Sequence, residues 1–343
     1  MAATAKSSDP VTLIEQAYNF GHEDEGVWLE GVARGFHAVL PKRGLRGVHT
    51  YIYRRSGPTQ IAMERNCLIE AKRLPTQEEL RGLVARHIQS YPKTAIRIFQ
   101  SRSLAWFGDL DPEFWNSPSV EARDQYSLAD SLLLNSSDAT GLGCMTNLYF
   151  DKRVVVPKAR QESLSRAGAH VVAALRIRRA MAGRVLSPND AEAVLSPSGR
   201  IEEASGGAKT RVARDALRDA TVAMDRARGR LRRSEPERAV ALWKVLVAAR
   251  WSLLDHFDGD GRRYVVAYCN ATELAPHERL TPREHQVVAL ATQGHSNKSI
   301  AYELGISIST VGVLLGRAAR RLGVNSRAAL IRTFEGQRLY TAT

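Results

Sequence analysis

The feature that most restricts how this chain folds is the punctuation near its C-terminus. In LTPREHQVVALATQG, Thr281 stands at a helix N-cap, Pro282 takes the first helical position and Glu284 completes a capping box, while Gly294 suits the left-handed stop. Ser296 then caps NKSIAYEL, which ends at Gly305 because a sharp turn there needs a positive φ that glycine adopts cheaply. Ser307 caps a third helix, Gly323 ends it, and Ser326 caps a fourth, RAALIRTF. These signals predict an all-α unit of four short helices.

Two short helices separated by GIS form a helix-turn-helix, in which the first braces the backbone and the second presents its N-terminal residues to base edges. On the third helix Val311, Leu315, Ala318 and Leu322 fall at i, i+4, i+7 and i+11, an inward apolar stripe.

Over this four-helix length the sequence resembles the LuxR-type (GerE-like) DNA-binding domain. Thr281, Pro282, Arg283 and Glu284, the Gly294 stop, Ser296-Asn297-Lys298, the ELGIS turn, Ser309-Thr310-Val311 and LGV followed by SRAAL all fall at family spacing. The resemblance covers only the C-terminal part of the chain. It implies transcription regulation by a homodimer on double-stranded DNA, with the fourth helix and neighbouring surfaces pairing the subunits. Carried over with the outward positions of the helices, it implies a DNA-binding set of Ser296, Asn297, Lys298, Ser309, Thr310, Val311, Val313, Leu314, Arg317, Arg320 and Arg321.

The sequence departs from the family where Gly312 replaces a common Lys, and where Val313 and Leu314 replace residues that are commonly polar. Each interior glycine costs a helix about 1 kcal/mol relative to alanine, so Gly312 and Gly316 together ask for about 2 kcal/mol of compensation. Apolar side chains can touch thymine methyls, glycine permits close approach to the groove wall, and the arginines can hold phosphates. The expected readout is therefore through methyl contacts and DNA shape. The competing reading takes Val313 and Leu314 as a protein-facing patch on a degenerate helix-turn-helix that acts through protein–protein interaction.

The composition of the whole chain fits a polyanionic partner. Among 343 residues, 49 Lys and Arg face 36 Asp and Glu, a formal net charge of +13 that favours phosphate contacts. Three cysteines, Cys67, Cys144 and Cys269, lack the spacing of zinc or redox sites, and no metal or cofactor is expected. SGGAKT has Ala208 where a phosphate loop needs glycine, and DGDGRRY has Arg262 where calcium needs a third oxygen ligand, so a linker and a hairpin turn are expected there. His285 reads as a solvated side chain. No nucleophile and base stand in recognisable context, so no catalytic residue is assigned. No apolar run approaches the length of a membrane span, and a cytoplasmic protein is expected.

Composition breaks divide the chain into three units: 9–184, 190–271 and 276–338. In the first, a helix around Val27 to Leu40, a hairpin of GVHTYIYRR and TQIAMERN, a capped helix at Thr76 and Glu79, strand candidates AIRIFQSR, SLLLNS and GLGCMTNLYFD, and a long last helix resemble the GAF class of α+β sensory modules. Tyr51, Tyr53 and Cys67 lie on its strands and are the candidate ligand-binding residues, for an unidentified small-molecule or protein signal. In DPEFWNSP and its neighbourhood, Trp106, Phe107, Phe114 and Trp115 read as core more readily than as pocket lining. The second unit has a hairpin in AEAVLSPSGRIEEAS, helices through ERAVALWKVLVAA, and a second hairpin of WSLLDHF and RRYVVAYC. It resembles a small α+β PAS-type module and reads equally as a dimerisation module. The fold class expected is thus multidomain, two α+β units followed by an all-α head.

Overall fold

The computed structural model describes residues 9–20, 24–40, 43–56, 60–69, 74–100, 104–115, 123, 125–138, 140–181, 188–270 and 279–340. The chain divides into two compact units, Met1–Arg178 and Arg179–Thr343.

In the first unit, α1 (Pro10–Ala17) and α2 (Glu25–Val39) are capped by Asp9 and Asp24, whose carboxylates accept the first free amides of each helix. Five strands, β1 (Leu45–Arg55), β2 (Ile61–Ile69), β3 (Ala105–Trp106), β4 (Asp130–Ser137) and β5 (Leu142–Phe150), form one antiparallel sheet in the order β2-β1-β5-β4-β3. Helix α3 (Gln77–Ser90) starts at the expected capping box of Thr76 and Glu79. Helices α4 (Pro92–Gln100) and α5 (Lys158–Ala180) also belong to the unit, with short helical turns at Phe107–Leu110 and Pro112–Trp115.

The segment AIRIFQSR, expected as a strand, is helical as far as Gln100. Its buried residues Thr94, Ala95, Ile98 and Phe99 recur at helical spacing while Arg97 faces outward. That stripe packs on the sheet and outweighs the β-branched composition.

Strand register decides which side chains share a face. His49, Tyr51 and Tyr53 of β1 stand opposite Asn147, Met145 and Gly143 of β5, and Leu133 and Asn135 of β4 follow on the same face. Ile98 and Phe99 of α4 cover this face at Tyr51, Tyr53, Leu133 and Met145. Val48, Thr50 and Ile52 point to the opposite face, where Thr50 and Thr146 meet hydroxyl to hydroxyl at 3.3 Å.

The second unit begins with β6 (Ala193–Leu195) and β7 (Ile201–Ala204), continues through α6 (Arg211–Arg228), α7 (Arg230–Ser234) and α8 (Pro236–Leu242), and returns through β8 (Trp251–Phe257) and β9 (Arg263–Cys269). These strands form an antiparallel sheet ordered β7-β6-β9-β8. Asp258 turns the β8–β9 hairpin by accepting from the amides of Asp260 (3.1 Å) and Arg262 (2.7 Å). Arg263 spans from Asp255 (3.1 Å) on β8 to Asp225 (3.0 Å) on α6, tying helix to sheet.

The sequence pattern of ERAVALWKVLVAA suggests helices, but the segment is helical only as far as Leu242. Helix α8 ends at Leu242, and the chain continues as an irregular strap in which Ala248 and Ala249 have left-handed φ of 50° and 58°. Left-handed backbone costs a non-glycine residue about 1–2 kcal/mol, so hydrogen bonds from outside the strap must hold it.

Four helices end the chain: α9 (Pro282–Thr292), α10 (Asn297–Leu304), α11 (Ile308–Arg321) and α12 (Arg327–Tyr340). Among the described residues no single helix is long and apolar enough to cross a membrane.

Candidate nucleic-acid interface

The head is assembled from its helix ends. Thr281 and Glu284 form the capping box of α9, Ser296 caps α10 by accepting from Ser299 N (3.1 Å), Ser307 caps α11 by accepting from Thr310 N (3.0 Å), and Ser326 accepts from Ala329 N (3.1 Å). Gly305 closes α10 with φ +62°, and the chain bends by 106° into α11. That angle lies within the about 90–120° typical of helix-turn-helix pairs.

Val311, Leu315, Ala318 and Leu322 are buried, the inward stripe the spacing predicts. Val311, also placed in the DNA-binding set through the family motif, is 0% exposed and belongs to this core; a side chain on the inward face of α11 cannot reach a groove. His285, expected to be solvated, is also buried, 4.9 Å from the Phe334 ring, because its face of α9 packs on α12.

The outward face of α11 carries Ile308, Ser309, Thr310, Gly312, Val313, Gly316, Arg317 and Arg320, all exposed, with Leu314 half-buried beside them. Ile308 and Val313 are 53% and 52% exposed. A Cβ at Gly312 or Gly316 would meet nothing within 4 Å, so neither glycine is required by packing. The compensation for their helix cost comes from elsewhere: the Ser307 cap, the buried stripe, and Arg321, which pairs at 3.2 Å with Glu284. Glu284 is 2% exposed and also accepts from Thr281 N (2.9 Å), so Arg321 has a structural partner inside the head besides its DNA-facing assignment. At the start of α10, Ser296 and Lys298 are exposed, while Asn297 accepts from Arg327 (2.5 Å), which also donates to His295 O (2.6 Å) and so braces α10 against α12. Ser296, Lys298, Ser309, Thr310, Val313, Arg317 and Arg320 therefore line the outward surfaces of the two helix-turn-helix helices.

The ligand-binding candidates of the first unit are not brought together. Tyr51 and Tyr53 share a sheet face, but Cys67 pairs with Thr50 in the β1–β2 ladder and lies against α2, its Sγ 3.7 Å from Leu29 O. A register offset of one residue sends alternate side chains to opposite faces, and this separates the three. Tyr53 has a structural bond: its hydroxyl donates to Asn135 Oδ1 (2.6 Å), and Asn135 donates to Phe99 O (2.7 Å), pinning α4 to the sheet. The ring lies directly over Gly143, where a Cβ has no room.

Sequence reasoning missed two residues of this face. His49 and Asn147 stand opposite each other on β1 and β5 and are 0% and 7% exposed. His49 Nε2 contacts Asn66 Oδ1 at 3.3 Å, but its Nδ1 and Asn147 Oδ1 have no hydrogen-bond partner among the described residues. Burial lowers the His49 imidazole to about 4, raises the Tyr51 phenol well above its ordinary value, and pushes Tyr149 up to about 12. The alternation of His49, Tyr51 and Tyr53 in GVHTYIYRR was the available signal.

Residues 278–334 match the family described as bacterial regulatory proteins, luxR family. This segment is a LuxR-family helix-turn-helix DNA-binding domain. The HTH-type transcriptional regulator MalT of Vibrio cholerae is 32% identical over 108 residues, which are 32% of this chain and 12% of MalT. The tetrathionate response regulatory protein TtrR of Salmonella typhimurium is 36% identical over 59 residues, 17% of this chain and 29% of TtrR. The match thus spans well under half of either relative. A crystal structure of Escherichia coli SdiA aligns with 94% of this chain and 93% of its own at 9% identity and a TM-score of 0.32.

Proposed function

We propose that the protein is a DNA-binding transcription regulator whose first unit and central module tune how its C-terminal head engages DNA. The observation that carries this reading is the outward face of α10 and α11: a correctly capped helix-turn-helix leaves Ser309, Thr310, Val313, Arg317 and Lys298 exposed on its outward surfaces. Arg317, Arg320 and Lys298 would hold phosphates, and Val313 with Ile308 would contact thymine methyls. Two copies would bind two half-sites as a homodimer.

In this reading the first unit is a GAF-like sensor and residues 190–271 a PAS-like module. The antiparallel five-stranded sheet, and the four-stranded sheet with helices between its two hairpins, support those assignments. The buried polar face of Tyr51, Tyr53, His49 and Asn147 would receive a small molecule that supplies the missing hydrogen bonds, and a population shift would carry the signal.

The test is selection of the full chain against a random duplex library at two salt concentrations. A two-fold motif containing thymines, with affinity falling steeply as salt rises, is the expected result. Absence of any enriched sequence would overturn sequence-specific reading and turn attention to Ile308 and Val313 as a protein-binding patch.

A further inference from the structure

The central module reaches into the head through its strap. A helix C-terminus leaves its last carbonyls without intrahelical partners. In α10, Glu303 O accepts from Leu246 N at 3.1 Å and Leu304 O from Ala249 N at 2.6 Å, both donors lying on the strap between α8 and β8. Tyr302 is buried beneath the same segment, with its hydroxyl 2.9 Å from Val240 O and 2.7 Å from Trp243 O. Gly305 completes the seat: a Cβ there would overlap the Leu246 carbonyl.

The other side of the strap belongs to the central sheet. Val247 N donates to Trp251 O (2.7 Å), and Asn270 N donates to Arg250 O (2.8 Å). The Arg250 guanidinium and the Trp251 indole both donate to Glu192, at 2.6 Å and 2.8 Å. Trp243, Val245, Leu246 and Val247 are buried, and the donors alternate, Leu246 N and the left-handed Ala249 N serving the head and Val247 N the sheet.

We infer that this strap is a latch that holds the reading head in one orientation on the central module, so that the module sets the direction in which α11 meets its half-site. The latch positions the head without hiding it, because Ser309, Thr310, Val313 and Arg317 stay exposed while it is engaged. The DNA consequence rests on the proposed function; the latch itself does not, and its test separates the two.

The experiment compares the full chain with Tyr302→Phe and with Ala249→Pro, which removes the donor to Leu304 and forbids the left-handed φ. In hydrogen exchange, both variants are expected to speed exchange of the strap and the end of α10 by about tenfold while α9 and α11 stay protected. On a library-selected duplex they are expected to lose about tenfold in affinity for two half-sites and to stay within about twofold on the same duplex cut to one half-site. Unchanged exchange in both variants would overturn the latch, and so would loss of protection throughout the head, which would make Tyr302 an ordinary core residue. Tighter binding by the variants to both duplexes would make the strap a brake and overturn the positioning role. If the wild-type chain selects no sequence, the proposed function fails and hydrogen exchange alone decides the latch.

Discussion

In the head, Thr281, Ser296, Ser307 and Ser326 each accept a hydrogen bond from an amide three residues on, whereas in the first unit Tyr53 reaches Asn135 across 82 positions of chain. The head thus caps its helix starts locally, around a small apolar core, although its buried Tyr302 reaches Val240 and Trp243, 62 and 59 positions away. The five-stranded sheet places polar groups in the middle of a buried face, where only residues distant in sequence serve them, and it leaves His49 Nδ1 and Asn147 Oδ1 unserved among the described residues. The difference separates two uses of buried polarity. Caps define where helices begin, while an incompletely satisfied sheet face is costly to the fold and available to a ligand.

The largest test of this contrast strikes a point where the head depends on distant chain. Gly305→Ala puts a side chain at φ +62° and against the Leu246 carbonyl, and should destabilise the second unit by more than about 3 kcal/mol in urea unfolding. A loss below about 1 kcal/mol would mean that the head is as locally determined as its caps suggest.

The next test addresses the sheet. His49 is held neutral with a lowered value of about 4, so the unfolded chain binds the extra proton first as acid is added. Its contribution is fully present above the ordinary histidine value and is lost as pH falls from about 6.5 to about 4, on the order of 3 kcal/mol in all. His49→Gln should flatten that dependence in the unfolding of the first unit; an unchanged slope would assign the pH dependence to other groups.

Smaller effects return to the head. Thr281→Ala removes one half of the α9 capping box and should cost about 1–2 kcal/mol, read as a lower melting temperature. Gly312→Ala and Gly316→Ala place methyl groups in open space and should each stabilise α11 by about 1 kcal/mol or slightly less. If they stabilise the fold and weaken binding to the selected duplex, close approach to the groove wall is what those glycines provide.

What the sequence by itself determined is the head. Its four helices, their caps, the Gly305 turn and the inward stripe all follow from residues three to eleven positions apart, the range over which helix hydrogen bonds and side-chain faces operate. Most of the outward surface of α11 was legible for the same reason; Val311 entered the DNA-binding set through the family motif although its spacing places it on the inward stripe, where the structure buries it. In the first unit the hairpin of β1 and β2 was readable from alternation and a turn, but the separation of Cys67 from Tyr51 and Tyr53, and the meeting of His49 with Asn147, depended on register between strands far apart in the chain. AIRIFQ satisfies helix and strand patterns alike, and its packing against the sheet decided between them. The strap is the extreme case: left-handed Ala248 and Ala249 are locally unfavourable, and only hydrogen bonds to Glu303 and Leu304 and to the central sheet, all tertiary, make that conformation the stable one.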